Sequence, residues 1–258
     1  MKVAVIGAGN LGGAIADALT KAGGFELTVS NPSEGKLERF ARQGVAVTTD
    51  NCEAAAGADL VIIAVKPWIM EEVLGGITSA VDCSEKIIVS TAAATCGEQL
   101  RSWAGVGPRL FTAIPNTAIS NLQSMTFLVP VLSDDSTTAL VKGVFDRMGE
   151  TLVIEEDRLF AGTSLASCGI AYALSYLKAS AEGGEALGFT AEEAKSIVLQ
   201  TVRGAVGLLE KEGADAGNEI RKVTTPGGLT EKGLAAMRDA GFTEAVIKGL
   251  KASFPREK

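Results

Sequence analysis

The sequence predicts an α/β chain: a doubly wound Rossmann-type domain followed by a smaller all-helical dimerisation domain. Three observations carry that prediction. After Lys2, Val3-Ala4-Val5-Ile6 is a β-branched apolar run that leads straight into Gly7-Ala8-Gly9-Asn10-Leu11-Gly12 and then a helical pattern. Strand and helix signals alternate to about residue 155, as in a sheet covered by helices on both faces. Beyond that point strand signals stop, and Ala, Leu and Ser recur at helical spacing. The expected division is a dinucleotide-binding domain over 1–155 and a substrate-binding and dimerisation domain over 156–258.

The glycine loop sits between a strand and a helix, the context that gives it meaning. Gly7 permits the tight turn, Gly9 lets backbone approach a pyrophosphate, and Gly12 lets helix pack on strand. Asn10 and Leu11 open the helix, whose free N–H groups and dipole favour phosphate. These five residues are expected to hold the cofactor.

The second strand, over 26–30, ends in Ser30-Asn31-Pro32-Ser33. An NAD site usually places Asp or Glu there for the ribose hydroxyls. Ser30 and Asn31, with Lys36 and Arg39 on the helix expected over 33–43, suit a 2′-phosphate instead. This favours NADPH over NADH. A short strand over 45–47 follows, and Asp50-Asn51 caps a short helix. The run 59–65 is a strand buried on both faces, and Pro67 then starts a helix. Ligands of open α/β sheets lie beyond the carboxyl ends of strands, so Ala64, Val65, Lys66 and Pro67 are cofactor contacts. Ala92, after the strand over 86–90, joins them. A sixth strand over 109–114 ends in Pro115-Asn116-Thr117. Strands over 124–132 and 150–154, with a helix over 136–148 between them, close the sheet.

In the second part, 158–183 reads as one long helix. Thr190 caps the next helix and Glu193 completes a capping box, with the helix running to about 211. Helices over 215–222, 229–240 and 244–252 complete the chain, and a hydroxyl-rich loop separates the first two.

Composition narrows the function. The net charge of −7 offers nothing to nucleic acid or to an anionic membrane. No apolar run is expected to reach the length of a membrane span. Cys52, Cys83, Cys96 and Cys168 form no C-x-x-C pair and read as reduced thiols of a cytoplasmic protein. There is no histidine, which excludes histidine triads, histidine-ligated metals and dehydrogenases with a histidine acid or base.

A nicotinamide site supplies hydride, and the question is what receives it. A ketone needs a proton donor for the developing alkoxide. A protonated imine is already electrophilic and needs orientation, a dry pocket and one hydrogen-bonding partner near nitrogen. A chain without histidine fits the imine better. The loop Thr224-Thr225-Pro226-Gly227-Gly228-Leu229-Thr230 suits a carboxylate: glycine N–H groups converge, hydroxyls add donors, and a helix dipole begins there. An ordinary capped interhelix loop has the same composition.

Val223-Thr224-Thr225-Pro226-Gly227-Gly228-Leu229-Thr230 resembles the V-T-S-P-G-G-T-T signature of pyrroline-5-carboxylate reductases. The glycine loop, Val65-Lys66-Pro67, Pro115-Asn116-Thr117 and Gln200-Thr201-Val202-Arg203-Gly204-Ala205 occur in that family's order, so the resemblance covers nearly the whole chain. It implies NAD(P)H-dependent reduction of Δ1-pyrroline-5-carboxylate to L-proline, the last step of proline biosynthesis. It implies Thr230 and Thr225 as catalytic residues, with the Thr230 hydroxyl at the ring nitrogen. Thr225, Gly228 and Leu229 lie around the carboxylate, and Thr224, Gly227 and Asn116 complete the substrate contacts. Asn51 falls on the adenosine side of the cofactor. The resemblance also implies interlocked homodimers, assembled further into decamers.

The chain departs from the family in places. Ala166-Ser167-Cys168-Gly169-Ile170-Ala171-Tyr172 stands where S-G-S-G-P-A-Y is frequent, and Ile170 in place of Pro implies a straighter helix. Lys178, Arg221-Lys222 and Leu229 replace acidic, acidic-polar and smaller residues. Two other functions suit the same architecture. A β-hydroxyacid dehydrogenase needs a lysine followed by asparagines, whereas Lys178 precedes Ala179-Ser180-Ala181. A non-catalytic NADP-binding regulatory protein has no need of the intact Thr-Pro-Gly-Gly loop.

Overall fold

The computed structural model describes residues 1–254 and divides into two compact units, Met1–Ser167 and the residues from Cys168 onward. In the first unit, β1 (Lys2–Ile6), β2 (Glu26–Ser30), β3 (Ala46–Thr48), β4 (Leu60–Ile63), β5 (Ile87–Ser90), β6 (Arg109–Ile114), β7 (Ser124–Leu132) and β8 (Gly149–Val153) form one eight-stranded sheet. Its order is β3-β2-β1-β4-β5-β6-β7-β8. The first six strands run parallel; β7 pairs antiparallel with β6, and β8 parallel with β7.

Six helices flank the sheet: α1 (Asn10–Ala22), α2 (Glu38–Ala41), α3 (Asn51–Ala56), α4 (Met70–Ala80), α5 (Gly97–Ala104) and α6 (Asp135–Asp146). Successive strand residues point to opposite faces, so β1 feeds two cores. Val3 and Val5 join Ile15, Leu19, Phe40, Phe111 and Phe145, while Ala4 and Ile6 join Met70, Leu74, Leu100 and Leu110. Burial on both faces explains why β1 and β4 read as unbroken apolar runs. Strand order reverses between β1 and β4, and the crevice beyond their carboxyl ends is where such sheets bind ligands.

The helix expected over 33–43 is broken. Residues Glu34–Lys36 form a 3₁₀ turn and only α2 is α-helical; Gly35 within the segment weakens helix continuation. The helix α5 carries no ordinary cap in its sequence. It is capped by Cys96, with Gln99 returning a side-chain bond to the Cys96 N–H at 3.0 Å.

The second part begins within one continuous helical run. It passes from a 3₁₀ turn (Glu156–Arg158) through α7 (Leu159–Gly162) and a π-helical segment (Thr163–Cys168) into α8 (Gly169–Ala186). The long helix is therefore not uniform as expected. The first compact unit extends to Ser167. Ile154 and Leu159 are buried in the sheet core, and Gly162 packs against the Phe127 ring, which tie residues 156–167 to the first unit. Within the run Glu156–Ala186 an 18-residue window has mean hydropathy 1.2, so the run is long and apolar enough to cross a membrane by length and composition only.

The second unit continues with α9 (Ala191–Leu209), α10 (Ala216–Lys222), α11 (Leu229–Asp239) and α12 (Phe242–Ser253). The Thr190–Glu193 capping box forms: the Glu193 carboxylate accepts from the Thr190 N–H at 2.9 Å, and the Thr190 hydroxyl accepts from the Glu193 N–H at 3.3 Å. The carboxylate also accepts from the Thr190 hydroxyl at 2.8 Å, and the bonds from the Thr190 N–H and hydroxyl hold Glu193 below its ordinary pKa. Gly184 lets α8 approach α9 closely at Ala194. Ala194 is the one buried residue among α8 to α12, while Leu174, Ile197, Val206, Leu209 and Ile220 stand exposed.

Candidate active site

A cavity of about 580 Å³ lies beyond the carboxyl ends of β1 and β4. The glycine loop forms one wall. Gly7 holds φ at +99°, and its N–H donates to the Ser30 carbonyl at 2.8 Å. A Cβ there would lie 2.7 Å from the Ala64 carbonyl oxygen, so only glycine fits. Gly9 faces the cavity with nothing within 4 Å of an added Cβ. It is also the N-cap of α1 and offers no side-chain cap, which leaves the first-turn N–H groups for a ligand.

Gly12 does not line the cavity. A Cβ on it would meet the Gly7 carbonyl oxygen at 1.9 Å and the Ala64 Cβ at 2.9 Å. Its task is to let α1 touch the loop and β4, so the expected cofactor contact is corrected to a packing role. Ser30 is corrected in the same way. It is fully buried and its hydroxyl donates to the Asn51 side-chain oxygen. The serine acts behind the wall and presents Asn51, which does line the cavity.

Asn10, Leu11, Asn31, Lys36, Ala64, Val65, Lys66, Pro67 and Ala92 line the cavity. The Asn31 amide is committed on both sides: its oxygen accepts from the Ala8 N–H at 3.1 Å, and its nitrogen donates to the Ser33 carbonyl at 3.2 Å. Arg39 is absent from the wall because Asp17 holds its guanidinium at 3.0 Å, over the Phe40 ring. Among the described residues no carboxylate lines the cavity, and Lys36 and Lys66 are its charged residues. Ile6, Pro32, Ile69, Val73, Thr91, Ala93 and Ala94 line it without having been singled out. For Ile6, Pro32, Thr91, Ala93 and Ala94 the available signal was a place at or just after a strand's carboxyl end; Ile69 and Val73, on the turn and helix after Lys66, carried none.

Asn116 lies elsewhere in the same unit. It is buried, caps the turn Thr117–Asn121 by accepting from the Ala118 N–H at 3.1 Å, and donates to the Ala166 carbonyl at 3.5 Å. It does not line the cavity.

The threonine-glycine loop belongs to the second unit. Residues Thr225 to Gly228 make a turn closed by the Gly228 N–H on the Thr225 carbonyl at 2.9 Å. Pro226 precedes Gly227 at φ +71°, the pattern of a type II turn. Gly228 is the N-cap of α11, with no side-chain cap. Not every backbone N–H of the loop is free to converge on a ligand: the Gly227 N–H donates to the Glu231 carboxylate at 2.6 Å. The donors left are the first-turn N–H groups of α11, at Leu229 and Thr230, with the hydroxyls of Thr225 and Thr230. Thr224 is occupied, donating to the Ile220 carbonyl at 2.7 Å. Leu229 is 87% exposed. Lys178, the residue a β-hydroxyacid dehydrogenase would use, is exposed and pairs with Glu182 at 3.6 Å.

Among the described residues no cluster of three or more His, Cys, Asp and Glu could hold a metal. The chain offers a dinucleotide cradle with free helical N–H groups and cationic walls, and a hydroxyl-bearing helix start.

Comparison with known proteins agrees. Residues 156–258 match the family described as pyrroline-5-carboxylate reductase dimerisation, and residues 2–94 match one described as NADP oxidoreductase, coenzyme F420-dependent. Pyrroline-5-carboxylate reductase 2 of Dictyostelium discoideum is 31% identical over 96% of this chain and 89% of its own length. The Escherichia coli K12 pyrroline-5-carboxylate reductase is 30% identical over 96% and 94%. Pyrroline-5-carboxylate reductase 1 of Dictyostelium is 35% identical over 97% of this chain, which spans 48% of that relative. The Coxiella burnetii reductase structure superposes with a TM-score of 0.89 at 28% identity, covering 98% of this chain and 95% of that one. The fold is also that of the NADP-bound Plasmodium falciparum pyrroline carboxylate reductase (TM-score 0.88, 23% identity, 98% and 95% covered).

Proposed function

This chain belongs to the pyrroline-5-carboxylate reductase family, and from that premise we propose how its residues divide the work of an NAD(P)H-dependent reduction of Δ1-pyrroline-5-carboxylate to L-proline. The observation that carries the proposal is the charge of the cavity: two lysines and no carboxylate among its walls. An acid at the end of β2 would repel a 2′-phosphate; Lys36 attracts it. NADPH is therefore the preferred cofactor. Gly7 and Gly9, with the free N–H groups of Asn10 and Leu11, hold the pyrophosphate, and Asn51 meets the adenosine ribose.

Bound NADPH supplies a hydride from its nicotinamide ring. The substrate enters protonated at the ring nitrogen. Hydride adds to the C=N carbon, and the π electrons become the nitrogen lone pair of proline. The Thr230 hydroxyl accepts from that N–H and holds the imine plane in place. The Leu229 and Thr230 N–H groups, the Thr225 hydroxyl and the α11 dipole hold the carboxylate. No histidine is needed because no proton has to be delivered during hydride transfer.

The exposed apolar side chains of α8 to α10 are covered by a second copy of the chain, in dimers that assemble into decamers. That explains the long apolar helical run without a membrane. The protein is proposed to work in the cytoplasm, and its acidic balance gives nucleic acid no purchase.

The test is turnover. The purified protein oxidises NADPH when given pyrroline-5-carboxylate, with kcat/KM at least about tenfold above that with NADH, a difference of about 1.4 kcal/mol. No oxidation of either cofactor overturns the reaction, and an NADH preference overturns the cofactor assignment. Light scattering of the protein in solution reports the oligomer; a monomer overturns the self-association.

A further inference from the structure

The loop that is proposed to receive the substrate carboxylate already contains a carboxylate. Glu231 stands at the third position of α11, and its side chain turns back past the helix start to accept from the Gly227 N–H at 2.6 Å. The ordinary capping box would send that side chain to the N-cap, Gly228. The Gly228 N–H is already used by the Thr225 carbonyl, so the glutamate takes the donor one residue earlier.

That donor belongs to the conformationally costly residue of the turn. Gly227 sits at φ +71°, and a turn around glycine reopens easily because glycine has many other conformations available. A Cβ on Gly228 would lie 2.5 Å from the Thr225 hydroxyl oxygen, so the threonine lies directly against the turn. Releasing Gly227 therefore moves the Thr225 hydroxyl and the first-turn N–H groups together. The loop is exposed, and the bonds within it are the Thr225–Gly228 and Gly227–Glu231 contacts.

We propose that Glu231 is a positioning residue, which clamps the Pro226-Gly227-Gly228 turn through the Gly227 N–H and so pre-forms the subsite for the substrate carboxylate. It does not touch the reacting atoms. The clamp also removes Gly227 from the donors facing the substrate, so the subsite reads one carboxylate with the N–H groups of Leu229 and Thr230. This inference rests on the carboxylate-binding role proposed above for the loop.

The experiment compares wild type with Glu231→Ala and Glu231→Gln, using two imines: pyrroline-5-carboxylate and 1-pyrroline, which lacks the carboxylate. For Glu231→Ala the KM for pyrroline-5-carboxylate rises about tenfold. The kcat, the KM for NADPH and the KM for 1-pyrroline stay within about twofold of wild type. Glu231→Gln, whose amide oxygen still accepts, recovers most of the loss. Equal KM values for wild type and Glu231→Ala, or equal losses with both imines, overturn the clamp. Hydrogen–deuterium exchange of the peptide holding Gly227 gives a readout without turnover: exchange is faster in Glu231→Ala than in wild type, and equal rates overturn the proposal. If wild type fails to reduce pyrroline-5-carboxylate, the reaction assignment falls, and the exchange measurement still decides the clamp.

Discussion

Asp17 holds Arg39 at 3.0 Å and draws its guanidinium onto the Phe40 ring, outside the cofactor cavity. The partners are partly exposed, so the pair adds little stability. Its effect is one of allocation: Lys36 is left as the cation near the end of β2 that faces the cavity. Lys36→Ala lowers kcat/KM with NADPH about tenfold and leaves that with NADH unchanged, whereas Arg39→Ala alters the ratio less than about twofold. Steady-state kinetics with both cofactors check this. A larger effect from Arg39→Ala would show that the arginine leaves Asp17 when cofactor binds.

The glycines of the loop separate into two tasks. Gly12→Ala drives a Cβ to 1.9 Å from a backbone oxygen. It costs about 1–3 kcal/mol of stability and lowers Tm without cofactor present. Gly9→Ala meets no protein atom within 4 Å. It keeps the wild-type Tm and weakens NADPH binding by about tenfold or more, read by cofactor titration. If the two variants behave alike, the distinction between packing and approach is wrong.

Thr230→Ala lowers kcat by about ten- to a hundredfold, the scale of one hydrogen bond to a charged group. The KM for NADPH stays near wild type, and Thr230→Ser recovers most of the rate. A collapse of NADPH affinity with kcat preserved would place Thr230 on the cofactor instead.

Asp134 caps α6, accepting from the Ser136 hydroxyl, the Thr137 N–H and the Thr137 hydroxyl, and these bonds hold its pKa well below the ordinary range. A carboxylate depressed in the folded state stabilises above its unfolded pKa, about 4. That stabilisation is lost as pH falls through the folded value. Asp134→Ala therefore lowers Tm at neutral pH, and the gap to wild type narrows as pH falls below about 4. Thermal scans across pH check it. A gap that widens in acid would contradict the assigned sign.

Much of the fold was legible because local chemistry and burial agreed. The first strand, the glycine loop and the Thr190–Glu193 box each announced themselves within a few residues. What was hidden depended on partners distant in sequence or on unusual choices. The direction of Ser30 needed Asn51, on another element. The removal of Arg39 needed Asp17 on α1. Cys96 is not an expected cap, and a π-helical segment leaves no compositional mark in Thr163–Cys168. In the threonine-glycine loop the motif itself was legible, but which N–H groups stay free was decided by Glu231, beyond the motif.

The part-buried bond from Ser30 to Asn51 has a consequence for descent. Neither residue is informative alone: the serine never meets the cavity, and the asparagine faces it in a fixed orientation only while the serine accompanies it. A change at position 30 to a residue without a donor would free the amide to rotate, exchanging a hydrogen-bond donor for an acceptor at the cofactor wall. The two positions are therefore expected to vary together across related chains, and their joint identity, rather than either residue, is the character to compare when tracing how cofactor choice changed.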